Sequence, residues 1–165
     1  MIFIVIIIGT LLLTLKYADW KNWRTYQSSM LLIILGNLLY GFVYHDRFLW
    51  KFNPDILNSH GVELIITFTV FPLTAIMILS NFPVQHNKIL LKISKYILVY
   101  IAVEILLSIT GMIEFDYGWN IIWSLAWDCI MFTILAIHFK KPIQAYGLCA
   151  LVAILMNRIF PFMLE

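Results

Sequence analysis

Six long runs of apolar residues, separated by short polar connections, limit what this chain can fold into. They cover approximately residues 1–15, 28–44, 60–81, 91–112, 119–139 and 143–160. Most approach the ~20 residues that a helix needs to cross the hydrocarbon core of a bilayer. Lipid offers the backbone no hydrogen bonds, so a spanning run must be helical. The sequence therefore predicts an all-α, polytopic membrane helix bundle, a single domain over 1–165. We expect six transmembrane helices, or five if the short first or last run does not span.

The composition excludes several classes of protein. Of the 165 residues, 62% are hydrophobic and only 12% are charged, whereas a soluble domain is about 25% charged. Such a chain cannot cover a water-facing surface in the usual way. This excludes a soluble globular enzyme, a disordered chain and a protein that binds nucleic acid. No catalytic or phosphate-loop motif is present, and we predict no cofactor.

Two local features modify the helical pattern. Pro72 lies in the middle of the third run and predicts a kink there, because proline lacks the N–H that an interior helical position donates. The aromatic residues of the connection from Asp46 to Asn58, together with Trp119, are expected to anchor the protein at the membrane interface. The length and mixed composition of that connection also leave open an interfacial or re-entrant helix. The last run ends before Pro161, a natural helix stop.

The basic residues predict the orientation. The first, third and fifth connections carry eight of the eleven, and the other side carries Arg47, Lys51 and Arg158. Cytoplasmic connections are enriched in Lys and Arg. We therefore expect both termini outside and the three basic connections in the cytoplasm.

Several polar residues lie inside the predicted spans. Two are carboxylic acids, Glu104 in the fourth run and Asp128 in the fifth. At 1.5 Å per residue, both lie roughly 12–14 Å below the outer ends of their helices. Charge near a helix centre costs about 2.5–3.5 kcal/mol on insertion scales. Polar residues at helical spacing give four of the helices one polar face each, which predicts an outward-opening pocket lined by Glu104, Asp128, Glu63, Asn37, Tyr100 and His60.

Structural interpretations compete with a site at each position. Ser, Thr, Tyr and Asn on such faces are ordinary packing contacts between membrane helices, and Glu63, near the start of its helix, favours the positive end of the helix dipole. Two carboxylic acids in mid-membrane are harder to explain by packing, and for them we place function slightly ahead. His45, His60 and Glu63 could bind a divalent metal with a loop carboxylate, but we predict an interfacial polar rim instead. His86 and His138 are expected to be solvated helix ends on the cytoplasmic side.

Several short motifs in the first half of the chain occur in a fixed order. They are Ala18-Asp19-Trp20-Lys21-Asn22-Trp23, Leu39-Tyr40, Leu49-Trp50, His60 with Glu63-Leu64, and Phe71-Pro72. With these motifs the chain resembles a family of small, uncharacterised multi-pass membrane proteins of spore-forming Firmicutes. The resemblance implies a bacterial cytoplasmic membrane and emphasises the first three helices. It implies no activity and adds nothing to Glu104 or Asp128.

Three functions fit these observations. The first is a non-enzymatic protein that binds or transports a solute, a lipid headgroup or a proton, with Glu104 and Asp128 as its carboxylates. The second is an intramembrane lipid hydrolase or transferase that uses these carboxylates, or a metal held with His60. The third is a structural subunit of a membrane complex. The lipid bilayer is the expected surrounding, and so few short helices favour a homo-oligomer or a membrane-protein partner.

Overall fold

A computed structural model describes residues 2–54 and 58–161, and the fold over these residues is a helix bundle. The described elements are α1 (Ile2–Tyr17), a short 3₁₀ turn (Trp20–Asn22), α2 (Trp23–Val43), β1 (Trp50–Phe52), α3 (Ser59–Phe68), α4 (Val70–Leu79), α5 (His86–Ile109), β2 (Ile113–Phe115), α6 (Ile121–Lys140) and α7 (Pro142–Ile159). The prediction of an all-α protein is confirmed, with a small two-stranded sheet added in the connections.

Four stretches within the described ranges are long and apolar enough to cross a membrane. They are Trp20–Val43, Ser59–Leu79, Ile121–Lys140 and Pro142–Ile159. Helix α1 is apolar but shorter, and α5 carries three lysines and Glu104 among its residues. Large apolar side chains on the outer faces are exposed, for example Phe42, Leu91 and Ile122 at 74% each. A soluble monomer rarely exposes so much contiguous apolar surface, so this is a membrane protein.

The predicted third run is interrupted, as Pro72 indicates. Helix α3 ends at Phe68, Thr69 adopts φ −118° and ψ −70°, and α4 begins at Val70. Pro72 is the third residue of α4, and it has no N–H to donate to the carbonyl of Phe68, four residues earlier. Its ring also crowds that carbonyl. Leu73 N restores the regular pattern by donating to Thr69 O at 3.1 Å.

Helix α4 is the central element of the bundle. Ala75, Ile76 and Ile78 are fully buried. They belong to a core cluster with Ile33 of α2 and Phe132 of α6. Because α4 contacts α1, α2, α5 and α6, its neighbours shield it from lipid, whereas each of them keeps one face outward. This arrangement positions α5 and α6 side by side.

The alternative of an interfacial or re-entrant helix between Asp46 and Asn58 is wrong over the described part of that connection. Residues 50–52 form β1, which pairs antiparallel with β2, with Lys51 opposite Glu114. Lys51 Nζ lies 3.0 Å from Glu114 Oε2, and hydrogen bonding to that carboxylate raises the pKa of Lys51. The backbone N–H and C=O groups of β1 bond to a strand from a distant connection, whereas in a helix they would bond within the same segment. Residues 55–57, the rest of the proposed helix, lie outside the described residues.

The two ends of the bundle differ in their contacts. One end holds the paired strands β1 and β2, and we call it the hairpin end. There the Phe3 ring packs on Phe52 at 5.4 Å, and Tyr44 Oη donates to Phe160 O at 3.0 Å. At the other end, the basic end, Asp19 N donates to Ser80 Oγ at 2.8 Å. Residues near both chain ends therefore lie at the hairpin end.

Candidate functional site

Glu104 and Asp128 occupy facing positions on α5 and α6. Asp128 is only 1% exposed, and the two carboxyl groups lie close enough to interact electrostatically. Asp128 Oδ2 and Glu104 Oε2 are buried and have no hydrogen-bond partner among the described residues. Most buried polar atoms in proteins are hydrogen-bonded. Two neighbouring unsatisfied oxygens are therefore an arrangement that packing alone does not explain.

Hydroxyl groups from three helices surround this carboxyl pair. Ser124 lies one helical turn before Asp128, and its hydroxyl interacts with the Glu104 carboxyl. Tyr100 lies one turn before Glu104 and donates from Oη to Thr74 Oγ1 of α4 at 2.9 Å. The Tyr100 ring also meets Phe132 edge-on at 4.9 Å. The spacing of four residues on both helices brings these groups onto the packed faces.

Indole rings cover the carboxyl pair from the hairpin end. Trp119 is 5% exposed, and its Nε1 donates to Ser124 Oγ at 3.0 Å. Its ring lies 4.9 Å from that of Trp50 on β1 and 6.5 Å from that of Trp127. For Trp50 and Trp119 the sequence predicted only that they anchor the protein at the membrane interface. The contacts show that Trp119 also links the sheet to the polar residues of α6.

A second polar group forms between α2 and α3. Asn37 Nδ2 donates to Thr67 Oγ1 at 2.7 Å, and Thr67 Oγ1 donates to Glu63 O at 2.6 Å. The Glu63 side chain is half-buried beside Gly41. The cap of α3 is Asn58, whose Oδ1 accepts from Gly61 N at 2.6 Å. Glu63 is not in the first turn of α3, so the expectation that it lies at the positive end of the helix dipole is wrong.

Five of the six predicted site residues fall into these two groups, and His60 belongs to neither. Tyr100, Glu104 and Asp128 lie together on α5 and α6, whereas Asn37 and Glu63 lie between α2 and α3. His60 is on α3, exposed, and packs its ring 5.6 Å from that of Phe48.

The described residues contain no group of three or more His, Cys, Asp or Glu side chains able to hold a metal ion. His45, a member of the metal alternative, instead pairs with Asp46 at 2.7 Å and is exposed.

His138 is not a solvated helix end, contrary to expectation. Its side chain is buried at 2% exposure. Nδ1 lies 2.8 Å from Ser29 Oγ, and Nε2 lies 3.3 Å from Tyr146 Oη. His138 precedes the last two residues of α6, yet α2 and α7 cover it on both sides. Its neighbours Phe139 and Lys140 do not indicate from the sequence whether this histidine is buried between helices or exposed at a helix end.

Two open grooves lie away from the carboxyl pair. One, of about 210 Å³, is at the hairpin end beside Arg47 and Tyr117. The other, of about 790 Å³, follows the first half of α5.

Comparisons with protein-family models, with curated proteins and with solved structures found no match for this chain. The chemistry of the site therefore rests on its own geometry.

Proposed function

We propose that this protein is a non-enzymatic membrane protein that binds and passes protons, alone or with a small solute, through the Glu104–Asp128 pair. The observation that carries the proposal is the pair of buried, unpartnered oxygens Oε2 and Oδ2. Two unpaired carboxylate charges side by side in an apolar interior would be strongly unfavourable. A proton bound between them removes one charge and satisfies an oxygen. The same oxygens can accept a polar group that enters from outside.

The position of the sheet supports six membrane crossings. Strands β1 and β2 pair directly, so the two connections that contain them lie on one side of the membrane. If Ser59–Leu79 crosses the membrane once, α5 has to cross back for β2 to reach β1. The lysines and Glu104 of α5 are then residues of a spanning helix.

The charge distribution supports an outward-facing hairpin end. The basic residues at the hairpin end are Arg47, Lys51 and Arg158. The basic end carries Lys16, Lys21, Arg24, Lys88, Lys92, Lys95, Lys140 and Lys141. By the positive-inside tendency, the basic end faces the cytoplasm and both termini face outward. For the location we propose a bacterial cytoplasmic membrane, as the resemblance implies.

Access to the carboxyl pair from outside then passes the indole of Trp119. This side chain bonds Ser124, which interacts with Glu104. Displacing the indole frees the Ser124 hydroxyl and uncovers the pair. Trp119 is thus a positioning residue that controls entry, while Glu104 and Asp128 bind the proton.

Proton flux in liposomes tests the proposal. Purified protein is reconstituted into vesicles that contain a pH-sensitive dye. The medium outside the vesicles is then acidified, while valinomycin and potassium clamp the membrane potential. We expect the wild type to conduct protons, and E104Q and D128N to fall to the level of empty vesicles. The control is S108A, which removes an exposed hydroxyl one turn beyond Glu104. Flux in the wild type that both acid variants retain would contradict the proposal.

Infrared difference spectroscopy gives a readout that does not depend on knowing the solute. A protonated carboxyl group in an apolar interior has its own C=O stretching band. We expect this band in the wild type and its loss in E104Q/D128N. No band in the wild type, together with lower thermal stability of both single variants at every pH, would assign the pair to helix packing and favour a structural subunit.

A further inference from the structure

A groove along the first half of α5 has the chemistry of a binding site that is separate from the carboxyl pair. Lys88, Lys92 and Lys95 follow one another at spacings of four and three residues, so they share one face of the helix. All three line the cavity of about 790 Å³, together with Asn81 and Pro83 of the α4–α5 connection. The groove is thus basic at the end of the bundle.

The positive charge of this groove is not compensated within the described ranges. None of the three lysines forms an ion pair there. Lys92 Nζ donates to Ser80 O at 2.6 Å, which fixes its side chain at the groove wall, and Lys88 and Lys95 are exposed.

Three of the five other basic residues at this end are engaged differently. Lys16, Arg24 and Lys140 lie over the rings of Tyr17, Trp23 and Phe82, at 5.0, 5.9 and 5.3 Å. The α5 lysines have no such ring partner among the described residues. The three α5 lysines therefore present uncompensated positive charge together on one helix face.

The wall of the groove becomes apolar as it runs toward the middle of the bundle. Leu91 and Leu98 line it with 74% and 66% of their surfaces exposed, and Ala102 is at its far end. From Lys92 to Ala102 the helix rises roughly 15 Å, which is about half the thickness of the hydrocarbon core. A phosphate ion would leave this wall uncovered, whereas an acyl chain attached to the phosphate would follow it.

We propose that this groove binds one anionic phospholipid, with its phosphate among Lys88, Lys92 and Lys95 and an acyl chain along Leu91, Leu98 and Ala102. Basic pockets on the cytoplasmic side of membrane helices suit such headgroups. The proposal does not depend on the function of Glu104 and Asp128.

Lipid binding by the purified protein tests this site. Dioleoyl phosphatidylglycerol is titrated into detergent-solubilised full-length protein, and bound lipid is counted by native mass spectrometry. Dioleoyl phosphatidylcholine has the same chains and serves as the neutral probe. The test variant is K88Q/K95Q, which keeps Lys92 on Ser80. The matched control is K16Q/R24Q, which removes two charges from the same end of the bundle.

We expect the wild type to retain one phosphatidylglycerol in preference to phosphatidylcholine. K88Q/K95Q should weaken that affinity about 30-fold, since each lysine near a membrane surface contributes about a factor of five, and K16Q/R24Q should leave it unchanged. A thermal melt without lipid verifies that both variants fold. Equal losses in the two variants would show general attraction to the basic end and overturn the site. Equal retention of the two lipids, or full competition by millimolar inorganic phosphate, would overturn the lipid as ligand.

Discussion

A buried histidine illustrates how single polar residues hold this bundle together. His138 of α6 contacts Ser29 of α2 through Nδ1 and Tyr146 of α7 through Nε2. The ring of Tyr146 also meets the imidazole edge-on at 5.3 Å. One side chain therefore joins three helices near the basic end, where lipid supplies no alternative hydrogen bonds.

Removing the Ser29 hydroxyl should destabilise the protein. We expect S29A to lower the free energy of unfolding by roughly 1 kcal/mol, because a buried nitrogen of His138 loses its partner. Thermal unfolding in detergent measures the change. T133A, which removes an exposed hydroxyl of α6, is the control and should have little effect. Equal stability of S29A and T133A would show that the Ser29–His138 contact contributes nothing.

The sequence identified Glu104 and Asp128 more easily than their surroundings. A carboxylic acid inside an apolar run is conspicuous, because the cost of burying it is large. A serine in such a run is not, since it is tolerated on any helix face. Ser29 and His138 are 109 residues apart, and nothing in either segment indicates that they meet. The separation of Glu63 from Glu104 is likewise a result of helix packing that periodicity does not determine.

At the scale of the elements, hydropathy predicted the helices and missed the sheet. A bilayer allows apolar runs few alternatives to helix, and Pro72 marked the break before α4. The observed helix ends differ from the predicted ones by a few residues, because a helix can continue beyond its apolar run into polar residues, as Trp23 to Gln27 do in α2. Strands of three residues have almost no local signal. They form because two connections meet at the hairpin end, which only the packed bundle determines.

A disulfide can test the pairing of β1 with β2. Lys51 and Glu114 are opposite residues, and Cα atoms of opposite residues are about 4.5–5.5 Å apart, within the range that a disulfide spans. In a background with C129A and C149A, we expect K51C/E114C to cross-link under mild oxidation, measured by the loss of free thiols.

The control pairs Lys51 with a residue that is not opposite to it in the sheet. Asp116 N donates to Leu49 O at 2.9 Å, so Asp116 lies opposite Leu49, two residues beyond Glu114 along the strand. The diagonal separation in K51C/D116C is about 7–8 Å, too long for a relaxed disulfide. Cross-linking of both pairs with the same yield, or of neither, would contradict the observed register.

At the scale of the whole molecule, the two ends of the bundle have different surfaces. Paired strands and stacked rings close the hairpin end, where the Tyr40 ring lies parallel to that of Trp50 at 3.7 Å. The basic end instead exposes Lys88 and Lys95 beside a groove. The orientation in the membrane therefore decides which chemistry faces each compartment.

Cysteine labelling can determine that orientation. In the cysteine-free background, K51C and K141C each introduce one exposed thiol, at the hairpin end and the basic end respectively. We expect a membrane-impermeant maleimide to label K51C on intact cells and K141C only after permeabilisation, because basic connections stay in the cytoplasm. The reverse pattern would invert the proposed orientation. Labelling of both variants in intact cells would place the two positions on the same side of the membrane and contradict the proposed number of crossings between them.

The pairing of two distant connections has a consequence for biogenesis. Asn53 and Glu114, which are hydrogen-bonded at 3.0 Å, are 61 residues apart. At about 5–20 residues per second, a ribosome needs roughly 3–12 seconds to extend the chain from one to the other. During that interval the nascent β1 carries an unpaired edge, and the sheet can close only after α3, α4 and α5 have been inserted. Two copies translated close together could exchange strands at this step, so closure of the sheet is the point at which assembly of this protein is most open to error.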